Sequence, residues 1–453
     1  MKKSILNLAA VTTAALLLEG AGAQAFAQPG QPALVAKPEQ QQMVVAPQQT
    51  LTLTLADAQQ YAVEHNRTLQ NASLDVQKAQ ASKWQAIASM LPQVKGSVDY
   101  SNYCGFQMSF GGQSIAMPPY STFGVQTSIA FNGAMVVSTQ VAEISRKMAD
   151  ISLLKSEREI KDQVRTLYCS ALVSQSTIEL LEENLKSLRK LYEISVSSVK
   201  AGVSEQTDAD QLQVQVNSMD NSLSSMRRSL EMIYNSLKLT LCLSEDAKIV
   251  LTDPLEEILN VDKASLLMAE DFDLNNNYNY QLLVQSTDLA KKQVSLTGLS
   301  NGPTLSIYHQ YSHKKYFSDE MTMNMTPPNM IGATLSIPIF TSLKASAAHK
   351  EAKISYQEQL NTLQDTELSL KVQHSQYVYD LATAIDKYMT QKQNVDVAQR
   401  VFDNIGKKFE FGVASSMDVT NSGTSLISAQ STYMQAIMDV VSAQISLEQL
   451  LNK

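Results

Sequence analysis

The histidines and methionines are the residues of this chain whose side chains could bind a metal ion. His309 and His313 are the one close pair among five histidines, and residues four apart on a strand share a face. No carboxylate or cysteine completes a zinc-type ligand set beside them. Methionines gather in two segments, and thioethers suit Cu(I), although Met also serves as flexible apolar filler. These are Met108, Met117, Met321, Met323, Met325 and Met330. No metal site is predicted, but a metal cargo stays open.

The remaining chemistry-bearing residues form no catalytic constellation, and no Gly-rich phosphate loop is present. We therefore expect neither an enzyme nor a cofactor. A net charge of −8 and a pI near 5.3 argue against nucleic acid as a partner. The cysteines, Cys104, Cys169 and Cys242, are odd in number and far apart, which predicts no disulfide framework. Cys169 and Cys242 fall in predicted helices, where a buried free thiol is expected.

An internal duplication organises the chain. The segment AGVSEQTD at 201–208 matches FGVASSMD at 411–418, which pairs Gly202 with Gly412 and Asp208 with Asp418. Pro92 and Pro303 repeat at almost the same offset. Each copy predicts a helix, two strands, a very long helix and a returning helix. The predicted repeats span 51–242 and 265–453, with a linker or equatorial segment at 243–264.

The N-terminus has the features of a secretory signal peptide. Lys2 and Lys3 precede an apolar stretch, and Ala25-Phe26-Ala27 fits a cleavage signal, so residues 1–27 are predicted to be removed. The Gln/Pro-rich residues 28–50 are predicted to form a flexible leader.

Four segments alternate between apolar and other residues and predict strands at about 93–103, 121–131, 303–313 and 330–340. Such strands could build a small sheet lying on a soluble core. Their length and the aromatic residues at their ends favour a membrane wall instead, with Leu335 and Ile337 facing lipid. Four strands cannot leave open edges in lipid, so the chain must close with copies of itself. Three copies would give a homotrimeric barrel of twelve strands.

Two very long helices are predicted, from about Ala134 to Lys200 and from about Ser342 to Phe409. At about 1.5 Å per residue, each would reach on the order of 100 Å. Apolar or small residues recur in steps of four and three, as in a coiled coil. Gly202 and Gly412 suit tight left-handed turns, after which helices return from Glu205 to Leu241 and from Ser415 to Leu451.

Asp208 and Asp418 follow the two turns. A carboxylate is stabilised near a helix N-terminus, and that role alone would account for both residues. They could also shape a mouth at the tip of a helical tube or contact a partner there. The two roles are compatible, and the sequence leaves both open.

The signal peptide, the duplication, the prolines before the strands, LSIPIF at 335–340 and the two turn segments together resemble the TolC family of outer-membrane efflux proteins. The resemblance implies a mainly α fold with a membrane β-barrel: a homotrimer with twelve strands, continuous with a long α-helical coiled-coil tube. It also implies a periplasmic adaptor and an inner-membrane pump of the RND or ABC type as partners. One departure is Ala130-Phe131-Asn132, which stands where the second half keeps Pro338.

By this resemblance, the tip residues that meet the adaptor are Gly202, Val203, Ser204, Gly412, Val413 and Ala414. Asp403 and Glu410 join Asp208 and Asp418 as candidate mouth carboxylates, although Lys407 and Lys408 could neutralise them.

The sequence thus predicts the passive exit duct of a tripartite efflux or secretion system in the outer membrane of a Gram-negative-type bacterium. The alternative is a secreted coiled-coil spacer or adhesin without channel activity. Drugs, metal ions and proteins remain open as cargo.

Overall fold

The computed structural model describes residues 50–111, 113–255, 259, 261–317 and 327–453. The predicted signal peptide, the leader up to residue 49 and Met321, Met323 and Met325 lie outside this part of the chain. Thr50, predicted as the last leader residue, instead begins a strand, because it pairs in parallel with Lys248.

Eight helices longer than one turn are present in the described residues. They are α1 (Leu55–His65), α2 (Arg67–Ala88), α3 (Gly133–Lys200), α4 (Gln206–Leu241), α5 (Val261–Met268), α6 (Tyr278–Ser300), α7 (Lys344–Glu410) and α8 (Ser416–Leu451). No helix in this part of the chain has both the length and the apolar character needed to cross a bilayer.

Across the described ranges, the strands form three sheets. They are β1 (Thr50–Leu53), β2 (Gln93–Ser101), β3 (Gln107–Phe110), β4 (Gln113–Ala116), β5 (Tyr120–Phe131), β6 (Lys248–Leu251), β7 (Thr304–Tyr316) and β8 (Asn329–Ser336). The main sheet is antiparallel in the order β2-β5-β7-β8, so β2 and β8 are its edges. β1 pairs with β6 inside the segment predicted as the linker, and β3 pairs with β4.

The strand ends differ from the alternation pattern for local reasons. β2 stops at Ser101 because Cys104 and Gly105 have positive φ and turn the chain into the β3–β4 hairpin, which the pattern had missed. β8 stops at Ser336 rather than near residue 340. Its neighbour β7 begins at Thr304, which pairs with Ser336, so the residues that follow Ser336 pair with no strand among the described residues.

The two strand-to-helix junctions also differ. β5 passes directly into α3, and Asn132 caps the helix by accepting a hydrogen bond from the Met135 amide. In the second half, residues 337–343 lie between β8 and α7, and Ser342 and Leu343 have positive φ. The proline-free junction of the first half is therefore the tighter one.

The core lies along the helices. The heptad positions meet where α3, α4, α7 and α8 pack together, around Leu188, Leu212, Phe402 and Leu426. Nearer the middle of the chain, Tyr168 donates a hydrogen bond to the Leu53 carbonyl and anchors β1 against α3. A second cluster there joins β1, α1, α2, α3 and α4. The helices thus form one packed body around two interlocked hairpins.

A buried ion-pair network links the two halves at mid-length. Arg158 and Arg165 of α3 both donate to Glu448 of α8, at 3.4 and 2.6 Å. Arg158 also donates to Asp162, whose pKa is raised by burial and only partly restored by that guanidinium. Removing one member would leave a buried charge uncompensated, so the network holds α3 and α8 in one relative position.

The cysteines occupy buried and exposed environments, and Cys104 is exposed. Cys169 is buried, and burial raises the pKa of its thiol to about 11. The prediction of burial was wrong for Cys242. It is exposed, because it is not part of α4 but follows its last residue, Leu241, in the left-handed conformation with a φ of 56°.

Candidate functional site

The two hairpin turns have the same backbone geometry. Gly202 and Gly412 have φ of +74° and +72°, a region that glycine enters without a steric penalty. In each turn the glycine N–H bonds to the carbonyl three residues back, and the next valine N–H bonds to the carbonyl five residues back. These two bonds form a Schellman motif, which satisfies carbonyls at the helix end. Val203 and Val413 both remain exposed.

A groove of about 720 Å³ lies between the two turns. Of the predicted tip and mouth residues, it is lined by Val203, Ser204, Asp208, Glu410, Gly412 and Ala414. Gly202, Val413, Asp403 and Asp418 do not line it. The structure therefore brings residues of both repeats to one surface, although they are about 210 positions apart in the sequence.

Two contacts cross between the hairpins beside this groove. The Ser416 hydroxyl, which is 2% exposed, donates to Asp208 and also lies 3.1 Å from the Gln211 side-chain oxygen. The Lys190 ammonium donates to Glu410 at 2.6 Å. Sequence reasoning missed both Ser416 and Lys190. Neither carries a local signal, because each acquires its role only from the packing of one hairpin on the other.

The four predicted mouth carboxylates have separate roles. Asp418 accepts a hydrogen bond from the Ser415 backbone N–H, which lowers the pKa of its carboxyl, and the Ser415 hydroxyl bonds to it as well. Together they form a capping box on α8. Asp403 is exposed and accepts from Gln399 on the same helix. Only Asp208 and Glu410 reach across to the other hairpin, and the partner of Glu410 is Lys190 rather than Lys407 or Lys408.

The main sheet is the second candidate site. The strand register places all four predicted apolar sets on one face: Val98 lies opposite Phe123, Ile129 opposite Ile307, and Leu305 opposite Leu335. None of the described residues covers this face. Leu335 is 59% exposed and Ile331 72%. A small sheet on a soluble core would bury this face against the core. The soluble-sheet interpretation of the alternation therefore does not fit the structure.

Ile337 lies outside the strand in which it was predicted. It was predicted as a lipid-facing strand residue, and its side chain is 56% exposed, but it lies one residue beyond the end of β8. In the part of the chain that the structure describes, the residues after Ser336 pair with no strand, and Pro338 lacks the N–H that a ladder would use.

The opposite face of the sheet is polar. Ser97, Gln126, Gln310 and Thr334 belong to it, as their register with neighbouring strands requires. Tyr308 lies across this face over Gly332, where a side-chain Cβ would come within 2.5 Å of the Tyr308 ring. A sheet with one apolar face exposed and one polar face is suited to separate lipid from water.

The histidine pair lies on the apolar face. His309 pairs with Thr127 and Ile331, and His313 pairs with Phe123, so their cross-strand neighbours include no metal ligand. Among the described residues, no group of three or more His, Cys, Asp or Glu side chains is close enough to hold a metal ion.

Comparison with known proteins identifies what the chain is similar to. Residues 58–241 and 274–453 match the family model described as outer membrane efflux protein. The alkaline protease secretion protein AprF of Pseudomonas aeruginosa is 23% identical over 309 residues, which cover 66% of this chain and 63% of the length of that relative.

Solved structures share the fold at low sequence identity. CusC, whose crystal structures concern conformational changes that accompany folding and transmembrane channel formation, superposes with a TM-score of 0.74 at 16% identity. The superposition covers 94% of this chain and 98% of the CusC chain. VceC, an outer membrane protein of Vibrio cholerae, superposes with a TM-score of 0.73 at 16% identity, over 88% of this chain and 95% of the VceC chain. The MtrE outer membrane channel of Neisseria gonorrhoeae gives 0.71 at 15% identity over 88% of each chain.

Proposed function

Because the chain belongs to the outer membrane efflux protein family, we propose that it is the outer-membrane exit duct of an efflux or secretion system. The family confirms the resemblance to TolC proteins that the sequence suggested, and it makes the chain an outer membrane protein rather than an enzyme. The observation that carries the proposal is the main sheet, whose apolar face is exposed along its length. A secreted spacer or adhesin would have no use for such a face.

The duct is a homotrimer with a twelve-stranded barrel. Support comes from the two unpaired edges of the main sheet, β2 and β8, because open edges in lipid leave backbone N–H and C=O groups unsatisfied. Joining β8 of one chain to β2 of the next would close the sheet after three copies. The exposed residues after Ser336, including Ile337 and Ile339, would then lie beside the neighbouring chain.

The helices continue this barrel as a coiled-coil tube in the periplasm. α3 has 68 residues and α7 has 67, so each is on the order of 100 Å long. Passage of a solute through the tube depends on its bore, its lining charge and the state of its tip. The energy for transport comes from a partner in the inner membrane.

The groove between the hairpin turns is the contact surface for a periplasmic adaptor. It combines the exposed Val203 with Ser204 and Ala414 at the end of the tube, where a partner has access to both repeats. The contacts of Asp208 with Ser416 and of Lys190 with Glu410 hold the hairpins together at this end. Opening of the tip would require at least one of them to break.

The partners and cargo follow from which pump the duct serves. A proton-driven RND pump with an adaptor would point to small molecules or metal ions, and an ABC exporter beside a secreted substrate would point to protein. AprF is described as a secretion protein, which favours keeping protein export as the second candidate. The genes adjacent to that of this chain would separate the two.

The first test is the native mass of the mature protein after detergent extraction from purified outer membranes. A trimer that dissociates on heating is expected, since three chains must share one barrel. A monomer in the soluble periplasmic fraction would contradict the proposal. Removal of the signal peptide after residue 27 is read from the N-terminal sequence of the same material.

A matched pair of variants then tests the lipid-facing surface. Leu335→Arg should hinder insertion by about 2–4 kcal/mol near the bilayer midplane, because the guanidinium would face hydrocarbon. Thr334→Arg places the same charge one residue away on the polar face and should assemble. Equal amounts of outer-membrane trimer from the two variants would show that Leu335 does not face lipid.

A further inference from the structure

A cationic aromatic cluster lies at one end of the polar face of the main sheet. The Lys314 ammonium lies 4.0 Å from the ring centroid of Tyr120 and 5.7 Å from that of Tyr316. The two tyrosine rings are 5.7 Å apart. Tyr103 completes the cluster, with its hydroxyl 3.4 Å from that of Tyr120. Lysine over an aromatic face is a stabilising cation–π arrangement, so the ring of Tyr120 positions this ammonium.

The register fixes the direction in which the cluster points. Lys314 lies opposite Thr122, and Thr122 lies opposite Asp99, so all three share the polar face. Lys315, the next residue, lies opposite Ser121 on the apolar face. The two adjacent lysines of β7 therefore point to opposite sides of the sheet, and only Lys314 is on the side that would line an aqueous interior.

The charge of Lys314 is not cancelled by a close carboxylate in the described part of the chain. No Asp or Glu oxygen of those residues lies within 4.0 Å of its ammonium, whose near neighbours are the two tyrosine rings. Aromatic rings stabilise a cation through their quadrupole without neutralising it. The polar face of the four main-sheet strands carries two lysines, Lys95 and Lys314, and one aspartate, Asp99, which leaves it net positive.

The end of the sheet that carries the cluster is the end far from the helices. Tyr120 begins β5 and Tyr316 ends β7, whereas α3 follows the other end of β5 and α6 precedes the other end of β7. In a duct whose helices lie in the periplasm, this end is the outer exit.

We propose that Lys314, held by Tyr120 and Tyr316, forms a cationic ring at the outer exit of the duct and favours the passage of anionic over cationic solutes. This inference rests on the proposed trimeric duct, in which three copies of the cluster surround one exit. Rings of lysine or arginine are a known physical basis of anion preference in pores. At about 0.1 M salt the field of each ammonium reaches on the order of 10 Å into the lumen.

The test uses the full-length trimer in planar lipid bilayers, with a potassium chloride gradient across the membrane and the reversal potential as the readout. Lys314→Glu should raise the cation-to-anion permeability ratio by about threefold or more, because it reverses the charge at the exit in all three chains. Lys315→Glu makes the same charge change on the lipid side of the same strand and should leave the ratio unchanged. Lys314→Gln should give an intermediate ratio and is the variant to use if the glutamate disturbs assembly.

A second pair of variants separates the role of the ring from that of the charge. Tyr120→Phe retains the aromatic face and should keep the wild-type ratio, whereas Tyr120→Leu frees the lysine and should lower the anion preference. If the wild type conducts and Lys314→Glu and Lys315→Glu have the same ratio, the inference is wrong while the duct stands. If the wild-type trimer forms no channel, the proposed function itself fails.

Discussion

The two long helices α3 and α7 are alike in length and in how they end, yet they are packed very differently. α3 has 68 residues and α7 has 67, and both end in the same Schellman turn. Eighteen residues of α3 are buried, compared with six of α7. The duplication therefore preserved the element and its termination while the surroundings of the two copies diverged.

The difference follows from the position of each helix in the chain. α3 packs against α1, α2, α4, α6 and α8, whereas α7 packs mainly against α6 and α8, with smaller contacts to α5 and α3. Leu368, Val372 and Tyr379 of α7, spaced by four and seven residues, stay more than 60% exposed. Such spacing is typical of a coiled-coil seam, so α7 carries a second seam that its own chain does not cover. α3 is therefore covered within its own chain, whereas α7 exposes an apolar surface that is suited to pack against a neighbouring chain.

The largest expected effect comes from breaking that second seam. Leu368→Asp should weaken the trimer by at least about 2 kcal/mol, since an apolar contact is lost and a carboxylate is buried against the neighbour. Ser369→Asp adds the same charge at the adjacent exposed position and should have little effect. The heat-dissociation temperature of the trimer measures both. Identical temperatures would mean that Leu368 stays in water and that α7 is as complete as α3.

The shared turns predict an equal effect in both repeats. Gly202→Val and Gly412→Val should each cost about 1–2 kcal/mol, because a β-branched residue is strained at positive φ. No atom lies within 4 Å of a Cβ built at either glycine, so strain alone sets the cost and the two values should agree. Thermal unfolding of the two variants would measure it. Values that differ widely would reveal a partner on one turn only.

The helix N-termini after the turns should distinguish the repeats. Ser415→Ala removes a capping box and should cost about 1 kcal/mol, whereas Glu205→Ala should cost little, because Glu205 makes no side-chain cap bond. The pKa of Asp418 is lowered by its hydrogen bonds to Ser415, so its contribution is present above the ordinary value of 3.8 and is lost as pH falls through the folded pKa.

A pH series of thermal unfolding measures this contribution. The stability difference between wild type and Ser415→Ala should shrink on acidification below pH 3.8. A difference that stays constant across that range would mean that the Asp418 carboxylate contributes nothing to the cap.

The smallest expected effect is at the exposed ion pair between the hairpins. Lys190→Gln should change stability by about 0–1 kcal/mol, because both side chains are solvated and the pair is screened by salt. Its functional effect should be larger if the pair helps to close the tip, and single-channel conductance of the reconstituted trimer would report it. Arg189→Gln, which removes the neighbouring pair with Asp220 of the same hairpin, is the control. Equal conductance in both variants would mean that the Lys190–Glu410 pair does not help to close the tip.

Much of the fold could be predicted from periodicity and turn chemistry. The heptad steps located α3 and α7 to within two residues at each end, and the two turn glycines were identified from the duplication. Strand ends were less predictable, because β8 stops where β7 ceases to provide a partner and not where its own alternation fades. The β3–β4 hairpin was missed because each of its strands has only four residues, too few for a clear periodic signal, and the turn at Gly111, with a φ of +60°, connects them.

At the tip, the sequence could nominate the residues but not their partners. Asp208 and Asp418 occupy equivalent positions in the repeat, and either could have been a cap. Packing decided that Asp418 caps its own helix while Asp208 meets Ser416 on the other hairpin. Cys242 is likewise exposed because it is itself the left-handed residue that follows the last turn of α4, and it does not continue the helical pattern of its neighbours.

The sequence alone specified the long helices, the four strands of the main sheet and the two glycine turns, because helical and strand periods and turn residues are properties of neighbouring positions. It also determined which face of each strand is apolar, since side chains alternate along a strand whatever it pairs with. The tertiary contacts were needed to show which carboxylates cross between the hairpins, that the Tyr120 ring lies beside Lys314, and that α3 is covered while α7 is open. Those features depend on contacts between residues about 200 positions apart, and the pattern of a short segment does not show which distant residues it will contact.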